Sequence, residues 1–214
     1  MITIHHLNNS RSQRVLWLLE ELALPFQVIR YERDKATLLA PPELRAVHPL
    51  GKAPVIVDAA PGASPITIAE TGAIVEYLVE KADGRLGAPA DREGMLRYRH
   101  FLHYAEGSLM PPLLLKLALG RVPIFGRAAQ RRMQPMIDVH LDFIERELAS
   151  RPWFTGGTFT AADIAMSFPL EAARTRAGLG ASRPATLAWL ATIHARPAYR
   201  AALERGGPYI YAGN

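Results

Sequence analysis

The sequence predicts an α/β half with a mixed sheet, followed by an all-α half. Three observations lead there. Strand-like runs fall only in the first third of the chain, around Ile2 and Ile4, at 26–31, at 55–57 and from Ile66 to Ala69. From residue 91 onward apolar residues recur every three or four positions, and strand signals nearly vanish. Between the halves Gly84, Gly87 and Pro89 lie close together, the composition of a linker. Domains are therefore expected at 1–83 and 90–214.

Taken in order, Ile2 and Ile4 alternate with Thr3 and His5, the pattern of a short first strand. After the polar loop 6–10, Val15, Leu18, Leu19 and Leu22 fall at i, i+3, i+4 and i+7, so a helix over 12–22 buries one stripe. Pro25 ends it, and 26–31 reads as the second strand. Residues 34–48 carry Pro41-Pro42 and mixed polarity, which predicts an irregular loop with a short helix. Val55-Ile56-Val57 and the run starting at Ile66 flank a turn over 58–65, punctuated by Pro61-Gly62. Glu70-Thr71 opens a helix with Ile74, Tyr77, Leu78 and Lys81 on one side, the terminal lysine suiting the helix dipole. The order is βαβαββα.

In the second half a long helix is expected over 91–119, kinked at Pro111-Pro112, because proline removes a backbone bond and clashes with the preceding turn. Met133, Met136, Ile137, His140, Leu141, Ile144 and Leu148 define another amphipathic helix, with His140 on its core stripe. Further on, Thr160 caps a helix, Asp163 answers it at N3, and Phe159 can staple onto Ile164. Helices over 184–194 and 197–205 complete this half.

Composition removes several function classes. The 214 residues, 49% hydrophobic and 21% charged, suffice for well-buried cores. The net charge of +5 raises nucleic acid as a partner. The arginines are scattered, with Arg131-Arg132 the closest cluster, so no nucleic-acid partner is expected. The absence of cysteine removes disulfides, thiolate metal sites and any protein-cysteine nucleophile. The first six residues lack the pattern of a signal peptide, and the most apolar segment, 109–119, is too short and too interrupted to span a bilayer. A cytoplasmic protein without membrane contact is the expectation. Of seven histidines only His100 and His103 have useful helical spacing, and no carboxylate joins them, so no metal is expected. G-x-S-x-G, P-loop and G-x-G-x-x-G motifs are absent.

Two stretches remain that suit a ligand. Pro54 cannot donate to a ladder, so its place at the start of a strand calls for a special geometry. A cis bond there would turn the Ala53 backbone N–H and C=O outward to pair with an extended ligand. Glu70 and Thr71 stand where a helix N-terminus offers unpaired N–H groups to an anion, and Lys52 adds a positive charge. A peptide-like, acidic ligand fits this set; a plain hairpin with solvated polar residues is the alternative. The second stretch, Asn9-Ser10-Arg11-Ser12, joins the first strand to the first helix and sets a hydroxyl beside a helix start. Ser10 or Ser12 as a simple N-cap is the plainer alternative there. Two anion-suited helix starts on one small sheet favour a shared site.

The combination of Ser10-Arg11-Ser12-Gln13-Arg14 with His48-Pro49-Leu50-Gly51-Lys52-Ala53-Pro54 and Ala69-Glu70-Thr71 resembles the cytosolic glutathione S-transferase family, in its bacterial, serine-type form. The Thr160 and Asp163 capping box followed by Ile164 resembles that family's C-terminal folding motif. The likeness spans both halves. It implies a thioredoxin-like N-terminal domain and an all-helical C-terminal domain, assembled as a homodimer. It further implies a detoxifying transferase that conjugates reduced glutathione, a co-substrate rather than a permanently bound cofactor, to small apolar electrophiles. Another glutathione-dependent reaction (peroxidase, dehalogenase or isomerase) and a non-catalytic ligand- or partner-binding role stay open as alternatives.

Carried over by position, Pro54 matches the family's cis-proline and Ala53 the residue whose backbone pairs with the cysteinyl unit of glutathione. Glu70 and Thr71 match the residues holding the γ-glutamyl end, with threonine where serine is commoner. Lys52 matches a basic residue near the glycine carboxylate, and His48 is expected close by. Ser10 matches the serine that activates the sulfur, with Ser12 and Asn9 as rivals because the loop length varies. A tyrosine-type site would need a Tyr near the end of the first strand, where this chain has His6-Leu7-Asn8. The electrophile's pocket is expected from the helical half, at Tyr104, Met110, Pro111 and Leu114, with Tyr209 and Tyr211 near the C-terminus. Each of these is equally a core candidate at helical spacing.

Overall fold

Four short strands organise the first unit of the chain: β1 (Ile2–Leu7), β2 (Phe26–Tyr31), β3 (Val55–Asp58) and β4 (Ile66–Ala69), side by side in the order β2-β1-β3-β4. β1 and β2 run parallel, with Ile2 opposite Phe26, which requires a crossover, and helix α1 (Ser12–Glu21) supplies it. The β1–β3 and β3–β4 pairs are antiparallel, with Ile4 opposite Ile56 and Ile56 opposite Ile68. Being central, β1 is buried along almost its whole length, and Ile2, Ile4, Val55 and Ile56 form the floor of the core. Helix α2 (Glu43–Val47) is one short turn, and α3 (Thr71–Lys81) follows β4 directly. Asp58 accepts from Tyr77 Oη at 2.6 Å and pairs with Lys81 Nζ at 2.7 Å, which fastens α3 to β3. This is a computed structural model, and it describes residues 1–212.

The βαβαββα order and the helical second half match the sequence expectation, and the first unit is thioredoxin-like. The expected domain limits, 1–83 and 90–214, need one correction. The compact units are Met1–Gly87 together with the chain from Ala195 onward, and Ala88–His194. The break after Gly87 falls inside the expected linker, but the last helix, α9 (Pro197–Gly206), packs on α1. The cause lies in α1, where every residue from Ser12 to Leu19 is buried. One stripe meets the sheet, and the other side needs cover that a strand–helix–strand unit alone lacks. Trp17 meets Tyr199 edge-on at 5.2 Å between ring centres, and Arg205 Nε lies 2.8 Å from Glu20 Oε1.

The second unit contains α4 (Arg92–Tyr104), α5 (Met110–Leu119), α6 (Gly126–Ser150), α7 (Ala161–Arg176) and α8 (Pro184–His194). A π-helical turn, Ala105–Leu109, stands between α4 and α5. The irregularity expected at Pro111-Pro112 thus lies one turn earlier. Both prolines occupy the first turn of α5, where their missing N–H groups cost least, and the preceding turn widens to accommodate them. α6 begins at Gly126, earlier than its stripe of large residues, and it carries Pro135 within it. The capping box forms as expected: Asp163 Oδ2 accepts the Thr160 N–H at 2.9 Å and Oδ1 accepts the Phe154 N–H at 3.0 Å. Among the described residues no helix is long and apolar enough to cross a membrane.

Candidate active site

The sheet register brings three connections to one end. His5 stands opposite Val55, and Val55 opposite Ala69. The loop leaving β1 (8–11), the approach to β3 (51–54) and the junction of β4 with α3 (69–71) therefore meet at the same edge of the first unit. All the residues expected to hold glutathione or its sulfur lie on or beside these three connections.

The Ala53–Pro54 bond is cis, as expected, and Pro54 is buried with Ala53 half-buried beside it. The chain enters this turn through Gly51 at φ +57°, where a Cβ would press within 2.6 Å of Arg45 Cγ, so the position needs glycine twice over. Lys52 is exposed. His48 is half-buried; its carbonyl accepts the Gly51 N–H at 2.8 Å, and its Nδ1 accepts the Leu50 N–H at 3.4 Å. These bonds shape the loop ahead of Lys52.

Glu70 is exposed and caps α3 with φ +71° and ψ 125°, a backbone state uncommon for a non-glycine residue and concentrated at ligand clamps. Its side chain makes no capping bond, and the first N–H groups of α3 have no acceptor within the helix. Thr71 is 5% exposed, and its Oγ1 accepts from Arg14 Nη2 at 3.4 Å. The sequence pattern alone gives Arg14 no role. Its signal was there: a charged residue inside a run of α1 that is otherwise packed solid.

At the β1–α1 connection the three rival groups separate. Asn9, at φ +50°, accepts the Ile210 N–H through Oδ1 at 2.9 Å and so ties down the C-terminal segment. Ser12 is fully buried; its Oγ accepts the Leu7 N–H at 3.2 Å and lies 2.9 Å from His6 Nδ1. Ser10 Oγ lies 2.7 Å from Ser12 Oγ and accepts the Ser12 N–H at 3.2 Å, two residues before α1 begins. His6, which no sequence pattern marked, is 2% exposed. Burial above all, and then the Arg30 charge, lower its pKa to about 4, against a smaller opposing effect of its hydrogen bond to the Gly206 backbone.

None of the four residues expected at the electrophile's pocket borders the cleft described within the helical unit. Tyr104 bonds through Oη to His140 Nδ1 at 2.5 Å, and burial pushes its pKa up to about 12. Met110 is buried, Pro111 is exposed, and Leu114 is 44% exposed. A cleft of about 680 Å³ within the helical unit is instead bordered by α4 and α6, with Leu96, His100, Phe101 and Phe143 as its apolar lining. Tyr209 and Tyr211 belong to the first unit and pack on each other at 5.3 Å.

Comparison with known proteins agrees with this fold. Residues 10–81 match the glutathione S-transferase N-terminal domain, and residues 127–205 match the glutathione S-transferase C-terminal domain. Glutathione S-transferase 3 of Schizosaccharomyces pombe is 36% identical over 96% of this chain and 88% of its own. The structure of a glutathione S-transferase from Actinobacillus pleuropneumoniae superposes with a TM-score of 0.88 at 31% identity, covering 100% of this chain and 97% of that one. A glutathione transferase family member from Pseudomonas fluorescens, solved with two glutathione molecules bound, gives a TM-score of 0.79 at 26% identity over 95% and 92% of the two chains. By both domain matches, by its relatives and by its fold, the chain belongs to the glutathione S-transferase family of enzymes.

Proposed function

We propose that this enzyme conjugates reduced glutathione to small apolar electrophiles, with Ser10 holding the sulfur as a thiolate. The observation that carries this reading is the shared sheet edge. It sets the Ser10 hydroxyl, the Ala53–Pro54 turn and the uncapped start of α3 within one thioredoxin-like unit. In this reading the Ala53 backbone pairs with the cysteinyl unit, and Glu70, Thr71 and the α3 N-terminus take the γ-glutamyl end. Lys52 and His48 serve the glycine carboxylate. Tyr104, Met110, Pro111 and Leu114 are offered to the electrophile. The glutathione seen in the Pseudomonas fluorescens neighbour supports the same co-substrate here. A homodimer and a cytoplasmic location belong to the same proposal.

The energetics are adequate. A free thiol titrates near 8.5 and is only about 3% thiolate at pH 7. Lowering that value by about two units takes roughly 2.7 kcal/mol in favour of the anion. A hydroxyl bonded to a charged acceptor contributes about 1.5–3 kcal/mol, and a helix N-terminus about 0.3–1 more. One serine just before α1 can therefore poise the sulfur, and positioning against the electrophile completes the catalysis.

The test is retention on immobilised glutathione, followed by conjugation of an aromatic halide across a pH series, with Ser10→Ala alongside. Retention with turnover, and a rise in the pH of half-maximal rate for the variant, is the expected result. No retention would discard every glutathione-dependent reading. Retention without turnover would leave a ligand-binding protein.

A further inference from the structure

We infer that His6 is a positioning residue for the sulfur step, acting through Ser12 to set the direction in which the Ser10 hydroxyl points. The inference rests on the assignment of Ser10 above and adds a residue that touches neither sulfur nor electrophile.

Each link has one consistent polarity. His6 lies on the central strand, with Ser12 of α1 at its Nδ1 side and the end of α9 at its other side. A Cβ on Gly206 would come within 3.3 Å of His6 Nε2, so the glycine lets the helix end approach the ring. The bond to the Gly206 backbone uses Nε2–H as donor, which fixes the tautomer and leaves Nδ1 as a bare acceptor. Arg30 of β2, opposite His6 in the register, is the charged neighbour; α1 adds the neutral Ser12 and Gln13, and α9 adds a carbonyl. Burial and the Arg30 charge keep the ring uncharged, against the smaller opposing effect of the Gly206 carbonyl. A thiol binds its proton roughly ten-thousandfold more tightly than such a ring, so His6 is no destination for the sulfur's proton. Its part is that of a fixed acceptor.

Ser12 has a single hydroxyl proton and three nearby acceptors, Ser10 Oγ at 2.7 Å, His6 Nδ1 at 2.9 Å and the Leu7 carbonyl at 3.3 Å. The bare Nδ1 of His6 can form its bond only with that proton, whereas Ser10 can donate across its own contact, so His6 takes it. Ser12 Oγ then has only lone pairs left, one of which receives the Leu7 N–H. The proton in the 2.7 Å contact between the two serines must accordingly come from Ser10. Donors run in one direction, from Ser10 to Ser12 to His6 to Gly206, and each bond polarises the next. Ser10 therefore meets an incoming thiol as an acceptor of its S–H, with its oxygen held in place. When the thiol ionises it releases its proton to solvent, and the Ser10 hydroxyl turns its own proton from Ser12 Oγ to the thiolate. His6 sets how strongly Ser12 competes for that proton.

This gives a sign that mere loss of structure would not give. With His6→Leu, the Ser12 proton loses its imidazole acceptor and turns to Ser10 Oγ, at 2.7 Å nearer than the Leu7 carbonyl at 3.3 Å, which frees the Ser10 proton for the sulfur. The ultraviolet absorbance of the thiolate, titrated in the complex with glutathione, should then show a pKa lower than wild type by about half to one unit. Ser12→Ala removes the competing acceptor without altering β1 and should shift the value the same way. His6→Asn, which keeps an acceptor near the Nδ1 position, should return it toward wild type. Ser10→Ala should raise it. A raised or unchanged pKa in His6→Leu and Ser12→Ala, with Ser10→Ala still raising it, overturns this inference and leaves the Ser10 assignment standing. An unchanged value in Ser10→Ala overturns both.

Discussion

Arg14 donates through Nη2 to Thr71 Oγ1 at 3.4 Å, and so joins the first turn of α1 to the first turn of α3. These are the two helix starts proposed to hold the sulfur and the γ-glutamyl end. With Arg14 only 1% exposed, its charge is delivered to this edge of the sheet through a residue that solvent scarcely reaches. Arg14→Met keeps much of the buried stem but removes the donor and the charge. A hydrogen bond to a charged group is worth about 1.5–3 kcal/mol, so KM for glutathione should rise about tenfold or more. Steady-state kinetics at varied glutathione, with the electrophile saturating, checks this. An unchanged KM would separate Arg14 from ligand binding and leave it a purely structural bridge.

The capping box is the clearest target for stability. Asp163 accepts the N–H groups of Phe154 and Thr160 and the Thr160 hydroxyl, and it is fully buried. Asp163→Ala orphans two buried backbone donors at the start of α7, nearly all of whose residues are buried. The expected loss is about 2–4 kcal/mol. For a chain of this size that corresponds to a melting temperature lower by roughly 5–15 °C. Thermal unfolding measured by circular dichroism decides it, and a fall of under about 2 °C would mean the cap is dispensable.

How far the sequence carried the reading follows from what each signal depends on. β2 was placed at its observed limits, and α7 by its capping box, because turn chemistry and caps are local. Pro54 and the Glu70-Thr71 junction were legible for the same reason. Nothing local marks His6, whose partners are Ser12 and the Gly206 backbone two hundred residues away in the chain. The sequence predicts the helix over 197–205 but not its attachment to the first unit, because a hydrophobic stripe does not name the face that it covers. Arg14 directly precedes the apolar run from Val15 to Leu19, and a guanidinium drawn into that packing needs a partner. That the partner is Thr71 depends on the register of three strands.

Acid stability should carry the mark of His6. Its imidazole titrates near 4 in the fold because of burial and the Arg30 charge, against about 6.5 when unfolded. Between those values the unfolded chain binds a proton that the folded chain refuses, so stability falls as the pH falls through this window. From pH 7 to 5 the loss is about 2 kcal/mol. Asp163 works the other way, since burial raises its carboxyl to about 6. The folded chain takes up that proton first and regains about 1 kcal/mol over the same interval. Urea midpoints at pH 7 and pH 5 should therefore drop less in His6→Asn than in wild type. Equal drops would mean that the ring titrates freely.

The C-terminal helix should behave energetically as part of the first unit. Arg196, just before α9, grips Glu21 at the end of α1 with Nε at 2.5 Å from Oε1 and Nη2 at 2.8 Å from Oε2. Trp17 Nε1 donates to the same Oε1 at 2.9 Å, which holds the carboxylate in place for its partner. An exposed ion pair would be worth under about 1 kcal/mol, but here the geometry is bidentate and Glu21 is only 10% exposed on its side chain. Breaking either partner alone leaves the other half-buried and poorly paired, whereas removing both does not. A double-mutant cycle with Glu21→Gln and Arg196→Met should accordingly give a coupling energy of about 1–2 kcal/mol from urea unfolding. Hydrogen exchange of α1 should rise in either single variant, because α9 then loosens its hold on the face carrying Trp17. Additive single effects, with α1 protected as before, would show that Trp17 and Tyr199 packing holds the two helices together without the ion pair.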